Sequence, residues 1–462
     1  MNFSKIKNYA PYLTHKSFDK TTVEGRHKER YRLAILASLA NLFSTGMSVF
    51  ALLIIVPITL PYLGDERFGV WMTISSIAIF LSFLDFGIGN GLINRVAHAN
   101  TSGDRTELSF VVTHGLLVLT IIGGGLALVT LPIINIIPWD MVIKVKNPEN
   151  ADEIRSALLT FLLIFAFSIP LNAIQKIFQG MQISWQAHLI RGLGSIISLA
   201  VVWVLAKQKA DIPQLLIATY GIQTAILLVP LIALARKKIL RFESLRHPNL
   251  MAETTVLLRN GGLFFLLQIA GLLVWSVDSL IIASTLGAAS VTQFALVQRI
   301  FQIVLLSLAI FNSPLWGAYA DAHSRGDKLF ISKTLRKSLV GTVIVALIGT
   351  ISISAMSQYI FKLWIDSAID IHSILVWSYG ALVFLMAVGN SLAMFLNGVG
   401  EIRSQVITVG FFCAIALPLK YLGIEFFGIP GLILSSMMAY IIAVLLPYLT
   451  IYKERIKGYY RV

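Results

Sequence analysis

Charged residues and cysteine are both scarce in this sequence of 462 residues. Lys, Arg, Asp and Glu make up 13% of the chain, whereas a soluble domain carries roughly 25%. The one cysteine, Cys413, lies inside an apolar run, so there is neither a disulfide framework nor a cysteine-based metal site. These absences exclude both an ordinary soluble domain and a small disulfide-stabilised one.

Motifs of enzymes and nucleotide-binding proteins are also missing from the sequence. There is no nucleophile with an accompanying base, no cluster of metal ligands and no glycine-rich phosphate loop. We therefore expect no catalytic residue, no metal, no cofactor and no ATPase module in this chain.

Long apolar runs dominate what is present, with 56% hydrophobic residues and a mean hydropathy of +0.79. Most runs contain 17 or more consecutive uncharged residues, enough for a helix to cross the ~30 Å hydrocarbon layer. The pattern predicts an all-α polytopic membrane protein with twelve transmembrane helices. They lie near 33–62, 67–94, 108–137, 154–178, 184–206, 212–235, 256–286, 290–318, 333–357, 370–397, 402–422 and 429–452.

The net charge is +14, but the Lys and Arg residues lie between the apolar runs and not on one patch, which argues against a nucleic-acid partner. Residues 1–32 hold eight Lys and Arg, and 236–259 hold six. The six loops on the opposite side of the predicted helices together hold eight. Cytoplasmic loops carry the excess of cations, so both termini are predicted to be cytoplasmic. The polar tail precedes a full-length span, so we expect no cleavable signal peptide.

A short stretch of sequence repeats at a fixed distance. Ala97–Arg105, with Gly103-Asp104, matches Ala320–Lys328, with Gly326-Asp327. The number of residues between these two matches is called the repeat offset. The same offset separates Leu63-Gly64 from Leu286-Gly287. Two six-helix bundles in parallel repeat, around a central cavity, are therefore predicted, which is a transporter architecture. The expected divisions are a basic tail 1–32, a bundle 33–235, a cytoplasmic linker 236–255, a bundle 256–452 and a basic tail 453–462.

Two charges lie where a membrane tolerates them least. Asp278 comes nine residues before Gly287 and Arg299 twelve residues after it, next to Gln298 and Gln302. At ~1.5 Å per residue both are roughly 13–18 Å deep, where a charge costs about 2.5–3.5 kcal/mol or more. Either the two charges form a structural ion pair, or Arg299 faces the cavity and meets an anionic substrate, with Asp278 tuning it.

Further polar side chains interrupt other spans. Lys176 and Lys420 are candidates for the cavity lining, although such side chains commonly extend to the membrane interface instead. Arg191 is expected at the inner mouth of the cavity. Asn41, Ser44, Thr45 and Ser48 form a polar stripe on the first span, which serves either helix–helix hydrogen bonding or sugar contact.

A run of alternate glycines follows Asp85 at the end of the second span. It is interpreted either as a hinge or packing site, or as part of a polar cavity lining. Asp85 and Asp278 are also the candidates for binding a coupling proton or sodium ion, because carboxylates inside a membrane commonly mark ion pathways.

These motifs resemble those of the polysaccharide and O-antigen flippase family, within the multidrug/oligosaccharidyl-lipid/polysaccharide exporter superfamily. The resemblance is carried by Tyr62–Trp71, by Leu-Asp-Phe-Gly-Ile-Gly-Asn-Gly-Leu at 84–92, and by the Gly103-Asp104-Arg105 loop. The two six-helix repeats extend it over almost the whole chain.

The resemblance implies a function and a site. The resemblance implies a bacterial inner-membrane exporter that moves undecaprenyl-pyrophosphate-linked glycans from the cytoplasmic to the outer leaflet. It also implies a glycan polymerase complex as a partner. Their cavities are cationic, and an acidic residue in the seventh helix with an arginine in the eighth points to Asp278 and Arg299. Coupling would come from H⁺ or Na⁺, or from the lipid cycle itself.

Two alternatives stay open. A multidrug-extrusion antiporter has the same plan, but it would favour an acidic or aromatic cavity over a buried arginine. A membrane-bound glycan polymerase or acyltransferase would need a large outer domain, and the longest outer loop, roughly 138–153, is too short for one.

Overall fold

The computed structural model describes residues 22–81, 88–145, 150–241, 255, 276–324, 326–365 and 371–451, and every regular element in those ranges is a helix. In the N-terminal part these are α1 (Val23–Leu81), α2 (Ile88–Ser102), α3 (Arg105–Ile136), α4 (Trp139–Ile143), α5 (Asn150–Gly180), α6 (Ser184–Lys207), α7 (Ile212–Leu216), a π-helical turn (Ile217–Gly221), α8 (Ile222–Ala225) and α9 (Leu228–Arg236). In the C-terminal part they are α10 (Asp278–Leu286), α11 (Ala288–Ser324), α12 (Lys328–Ala355), α13 (Ser357–Ile365), α14 (Ser373–Gly398), α15 (Ile402–Tyr440) and a second π-helical turn (Ile441–Leu445).

Within the described ranges, nine helical segments are long and apolar enough to cross a membrane. Two of them, Ile35–Ser76 and Ser404–Ile451, have 42 and 48 residues, or roughly 60–70 Å at ~1.5 Å per residue, twice the hydrocarbon thickness. Each is interrupted by one glycine with non-helical backbone, Gly64 and Gly428, so each contains two spans. The all-α multi-pass fold is confirmed. The count of twelve stays a prediction, because most of the seventh segment lies outside the described residues.

The interruption at Gly428 is a reversal of the chain. A β-carbon on Gly423 would lie 2.5 Å from the carbonyl oxygen of Gly431 and would also collide with the Ser435 hydroxyl. Residues eight apart in a continuous helix are about 12 Å apart along its axis, so this approach requires two antiparallel helices. The absence of side chains at both glycines lets the two backbones touch.

The backbone turns reproduce the repeat seen in the sequence. Gly64 and Gly287 both have positive φ, at 69° and 91°, and so do Gly103 and Gly326, at 76° and 71°. Both pairs are separated by the repeat offset, and only glycine adopts this conformation without strain. Two later pairs of positive-φ residues have nearly the same separation: Gln182 with Gly400, and Lys209 with Gly428.

Helix capping repeats in the same way after the second of these turns. The carboxylate of Asp104 accepts hydrogen bonds from the backbone N–H groups of Thr106 and Glu107, at 2.8 and 3.2 Å. Asp327 accepts one from Phe330 at 3.0 Å. Hydrogen bonds from the first turn of a helix to the carboxylate of the residue just before it stabilise the start of the helix. The bonds from Glu107 and Thr106 also lower the pKa of Asp104.

The chain forms two compact units. The first unit consists of Met1–Ile55, Leu84–Asn135 and Leu158–Gly262, and the second of Val56–Phe83, Ile136–Ala157 and Leu263–Val462. The predicted bundles 33–235 and 256–452 stay a prediction.

Small side chains allow close packing in the first unit. A β-carbon on Gly192 would lie 2.8 Å from the ring of Phe43. One turn further along the same helix, the hydroxyls of Ser195 and Ser48 are 2.9 Å apart. Short polar bonds between closely packed helices are typical of membrane proteins.

In the second unit, the segment after Gly64 crosses the start of α11 at very short range. The Thr292 hydroxyl donates to the carbonyl oxygen of Asp65 at 2.6 Å, and a β-carbon on Gly69 would collide with the carbonyl oxygen of Ala288. The repeat offset relates Asp65 to Ala288 and Gly69 to Thr292. The two contacts are therefore equivalents of each other, as at a pseudo-twofold axis.

The reversal at Gly428 leads to a testable consequence for stability. We expect Gly423→Val to lower the thermal stability of the detergent-purified protein, because the new side chain needs the two helices to separate; overpacking of this kind costs about 1–3 kcal/mol. Gly410→Val in the same helix is the matched control, since a β-carbon there meets no atom within 4 Å. Equal melting shifts in both variants would show that the approach of the two backbones is unimportant.

Candidate substrate and ion site

A buried ion pair lies in the second unit, between two predicted spans. The Lys420 Nζ atom donates to Asp278 Oδ1 at 2.5 Å, and the two residues are 0% and 4% exposed. Lys420 comes eight residues before the turn at Gly428, and Asp278 nine before the turn at Gly287. Both are therefore about 12–14 Å from their turns, at ~1.5 Å per residue, near the middle of a ~30 Å hydrocarbon layer.

The local helix geometry favours a carboxylate at this point. Asp278 is the first residue of α10, and the N-terminus of a helix carries a partial positive charge from its unpaired N–H groups. Lys420 lies in the first half of α15, before the interruption at Gly428, with its long side chain fully enclosed. A buried pair of this kind is compensated only when both partners are present.

Tyr379 connects this pair to α11. Its hydroxyl hydrogen-bonds the Gln298 side chain, and it interacts electrostatically with Asp278. The tyrosine ring lies 5.7 Å from the rings of both Phe294 and Phe301. The polar atoms are thus enclosed by aromatic side chains, which lowers the local dielectric and strengthens each charge interaction.

Arg299 lies on α11 directly after Gln298 and is 8% exposed. Its Nη2 atom is 3.0 Å from the sulfur of Met72, and its Cζ atom is 5.8 Å from the centre of the Phe68 ring. A guanidinium group is weakly hydrated and stacks on aromatic faces, so it is the cation best suited to such a site.

These contacts correct two of the interpretations made from the sequence. Asp278 pairs with Lys420, so the interpretation in which it pairs with Arg299 is wrong. Extension of Lys420 to the membrane interface is also wrong, because the side chain is fully buried. The physical reason is that a carboxylate at this depth binds the nearest ammonium on the facing helix.

The other predicted residues are distributed as follows. Gln302 is exposed on α11, Lys176 is half-buried on α5, and Asp85 lies outside the described residues. Arg191 is exposed, and its Nη1 atom donates to Gln175 Oε1 at 3.4 Å.

The polar stripe on the first span divides between two roles. Asn41 at its start is exposed. Ser48 bonds the hydroxyl of Ser195 on α6, which is the helix–helix hydrogen bonding expected for part of this stripe. Its members therefore do not all face one environment.

Three site residues were missed from the sequence: Phe68, Met72 and Tyr379. Phe68 and Met72 are four residues apart, so they share a helix face shortly after the turn at Gly64. Tyr379 is a polar aromatic residue inside the tenth apolar run. Neither pattern by itself distinguishes a site residue from an ordinary packing residue.

The ion pair predicts a strong coupling between its two residues. We expect Lys420→Met or Asp278→Asn alone to destabilise the detergent-purified protein, by about 3–5 kcal/mol if the remaining charge stays ionised. The double variant should be less destabilised than the sum of the two, as measured by thermal unfolding.

A second ion pair provides the control for this cycle. Arg67 and Glu153 are bridged at 2.5 Å, but their side chains are 26% and 14% exposed, so neither charge is as fully desolvated as those of Lys420 and Asp278. Arg67→Met should therefore destabilise the protein less than Lys420→Met. Additive effects at Asp278 and Lys420 would contradict the coupling.

Comparison with known proteins identifies the family. A model described as "Polysaccharide biosynthesis protein" matches residues 34–316, more than half of the chain. A Yersinia pseudotuberculosis protein named for O-antigen export is 24% identical over 86% of this chain and 91% of its own length. A Salmonella typhi protein named as an O-antigen transporter is 20% identical over 87% and 92%.

Solved structures agree on the fold. An inward-facing multidrug resistance transporter of the MATE family, in the MOP superfamily, has a TM-score of 0.75 at 15% identity, over 91% of this chain and 95% of its own. The lipid II flippase MurJ, in an inward closed conformation, has a TM-score of 0.67 at 14% identity, over 90% and 87%. At these identities the likeness concerns the fold. By the match over residues 34–316, the chain belongs to the polysaccharide biosynthesis protein family.

Proposed function

We propose that this protein is a flippase that moves a polyprenyl-pyrophosphate-linked oligosaccharide from the cytoplasmic to the outer leaflet of a bacterial inner membrane, with both termini in the cytoplasm. The family match and the two relatives named for O-antigen export and transport support this assignment. The similarity extends over 91% and 92% of the length of those relatives.

The observation that carries the proposal is the presence of two buried cations, Lys420 and Arg299, at mid-membrane depth in one unit. A pyrophosphate cannot cross hydrocarbon without compensation of its charge. A guanidinium group binds it through forked, charge-assisted hydrogen bonds, and an ammonium group binds it as a point charge. In this mechanism Arg299 holds the pyrophosphate, and Gln298 beside it donates to the glycan.

The ion pair supplies a route to ion coupling. When a pyrophosphate binds Lys420, the ammonium group exchanges the Asp278 carboxylate for a phosphate oxygen. The carboxylate is then buried without its partner, which is strongly unfavourable, so it takes up H⁺ or Na⁺. Release of the substrate restores the pair and expels the ion. Uptake of the ion and binding of the substrate are therefore linked through one residue, Lys420.

The crossing of the Asp65–Gly69 segment with α11 is the outer gate in this mechanism. The Thr292–Asp65 hydrogen bond and the Gly69–Ala288 approach hold the two chain segments together near the turns at Gly64 and Gly287. Alternating access requires such a contact to form and break in each cycle.

Loss of Arg299 tests the substrate role. In a host that lacks its own flippase, we expect wild type to restore surface glycan and Arg299→Ala to abolish it at equal membrane abundance. Arg299→Lys should restore part of it, because lysine keeps the charge but loses the forked geometry. Surface glycan is measured by labelling intact cells.

A matched control makes this result specific. Arg336→Ala removes an exposed arginine from α12 and should transport normally. Normal glycan with Arg299→Ala would make the arginine structural, and failure of wild type with every glycan offered would refute the flippase assignment.

Gate opening is tested by the reactivity of a buried position. Ala288 is 1% exposed, so Ala288→Cys in a Cys413→Ala background should react slowly with a membrane-impermeant maleimide added from outside. Gly69→Leu should increase this rate and abolish transport, because the leucine would prevent closure.

Leu286→Cys, at an exposed site on the same turn, gives the rate for a freely accessible thiol. Gly46→Leu is the matched glycine control, since a β-carbon there meets no atom within 4 Å. Equal labelling of Ala288→Cys with and without the Gly69→Leu substitution would rule out Gly69 as the gate residue.

A further inference from the structure

A basic cavity of about 450 Å³ lies in the first unit. Three chain segments meet there: the loop between α2 and α3, the residue Met181 after α5, and residues 237–241 after α9. All three lie at helix ends that the distribution of Lys and Arg assigns to the cytoplasmic side. The cavity is therefore at the depth of the inner lipid headgroups.

Its charged lining consists of four cations and one carboxylate, namely Arg105, Lys237, Lys238, Arg241 and Asp104. The carboxylate of Asp104 is already engaged with the backbone N–H groups at the start of α3. The cations therefore determine the charge that the cavity presents to a ligand. An excess of positive charge in a concave site selects an anion.

The basic segment has a fixed backbone. The Ile239 N–H donates to Leu234 O at 3.1 Å, which closes the end of α9. The Arg241 N–H donates to the Thr113 hydroxyl on α3 at 3.2 Å, and Arg241 Nε donates to Lys238 O at 3.1 Å. The cavity is thus preformed, and a ligand does not have to order the chain.

Exposed apolar side chains lie on α9, the helix that directly precedes the basic segment. Leu228, Val229 and Ile232 are 44%, 56% and 51% exposed. Exposed apolar side chains on a membrane span face acyl chains. A ligand that places a phosphate in the cavity can therefore place a hydrocarbon tail on this surface, and a free cytosolic anion has no use for it.

We propose that the basic cavity binds the phosphate headgroup of an anionic glycerophospholipid of the inner leaflet, with an acyl chain along Leu228, Val229 and Ile232. Basic pockets at this level of a membrane protein recognise anionic headgroups. The bound lipid joins α3 to the segment after α9 and so stabilises the cytoplasmic side of the first unit. This site is separate from the ion pair of the second unit, and the proposal does not require any particular transported substrate.

The test measures the melting temperature of the delipidated full-length protein in a neutral detergent, titrated with phosphatidylglycerol. Wild type should be stabilised, whereas phosphatidylcholine and sodium pyrophosphate should have little effect. In Lys237→Gln/Lys238→Gln/Arg241→Gln, the phosphatidylglycerol concentration that gives half of the stabilisation should rise by roughly a hundredfold. Each cation near the membrane surface changes the affinity for an anionic lipid by about tenfold or slightly less.

A matched variant removes three exposed cations that do not line the cavity. Lys333→Gln/Arg336→Gln/Lys337→Gln on α12 should respond to phosphatidylglycerol like wild type. If the triple cavity variant does not fold, Lys237→Gln/Lys238→Gln keeps the Arg241 contacts and should show a smaller loss of the same kind. Equal losses in the cavity and α12 variants would overturn the proposal.

Two further results would also overturn it. Stabilisation by sodium pyrophosphate as strong as that by phosphatidylglycerol would make the ligand a free anion. Stabilisation by a polyprenyl diphosphate but not by phosphatidylglycerol would make the cavity a reception site for the transported lipid.

Discussion

A charge inside hydrocarbon requires a compensating charge at the same depth, and the second unit depends on this constraint at Asp278 and Lys420. The two residues are far apart in the chain, but they lie nine and eight residues from glycine turns, at Gly287 and Gly428. If the turns are at the membrane surface, the two charges reach the same depth. The positions of the two glycines therefore bring the two charges to the same depth, which the pair requires.

In the proposed mechanism the same pair connects stability with transport. Each charge satisfies the other in the structure, and their contact ties α10 to α15. An anionic substrate would compete with the carboxylate for Lys420, so the interaction that ties these helices together is the one that a pyrophosphate would replace. Because an uncompensated buried carboxylate is so unfavourable, this exchange would be coupled to ion uptake.

Burial of the two charges was predictable from the sequence, whereas the direction of side chains around each helix was not. Counting residues from Gly287 predicts Asp278 and Arg299 deep inside the membrane, and both are buried in the structure. The repeated Gly-Asp turns indicated the parallel repeat that the backbone angles reproduce. Counting gives no information on which way a side chain points. Asp278 faces Lys420 on a distant helix, while Arg299 lies against Phe68 and Met72. These contacts depend on tertiary packing that short motifs do not encode.

The repeat extends to the turns and caps but not to the charges, and this difference separates what the fold needs from what the site needs. The repeat offset relates Asp278 to Ile55 and Arg299 to Ser76, and the slightly shorter offset of the later turns relates Lys420 to Val201. The three buried charged residues described in the second unit thus have uncharged counterparts in the other half of the chain. The glycine turns, present in both halves, maintain the helical scaffold, whereas the equivalent helices fold without these charges. A charge kept in one repeat at such a cost therefore supports the proposed role in binding and moving an anion.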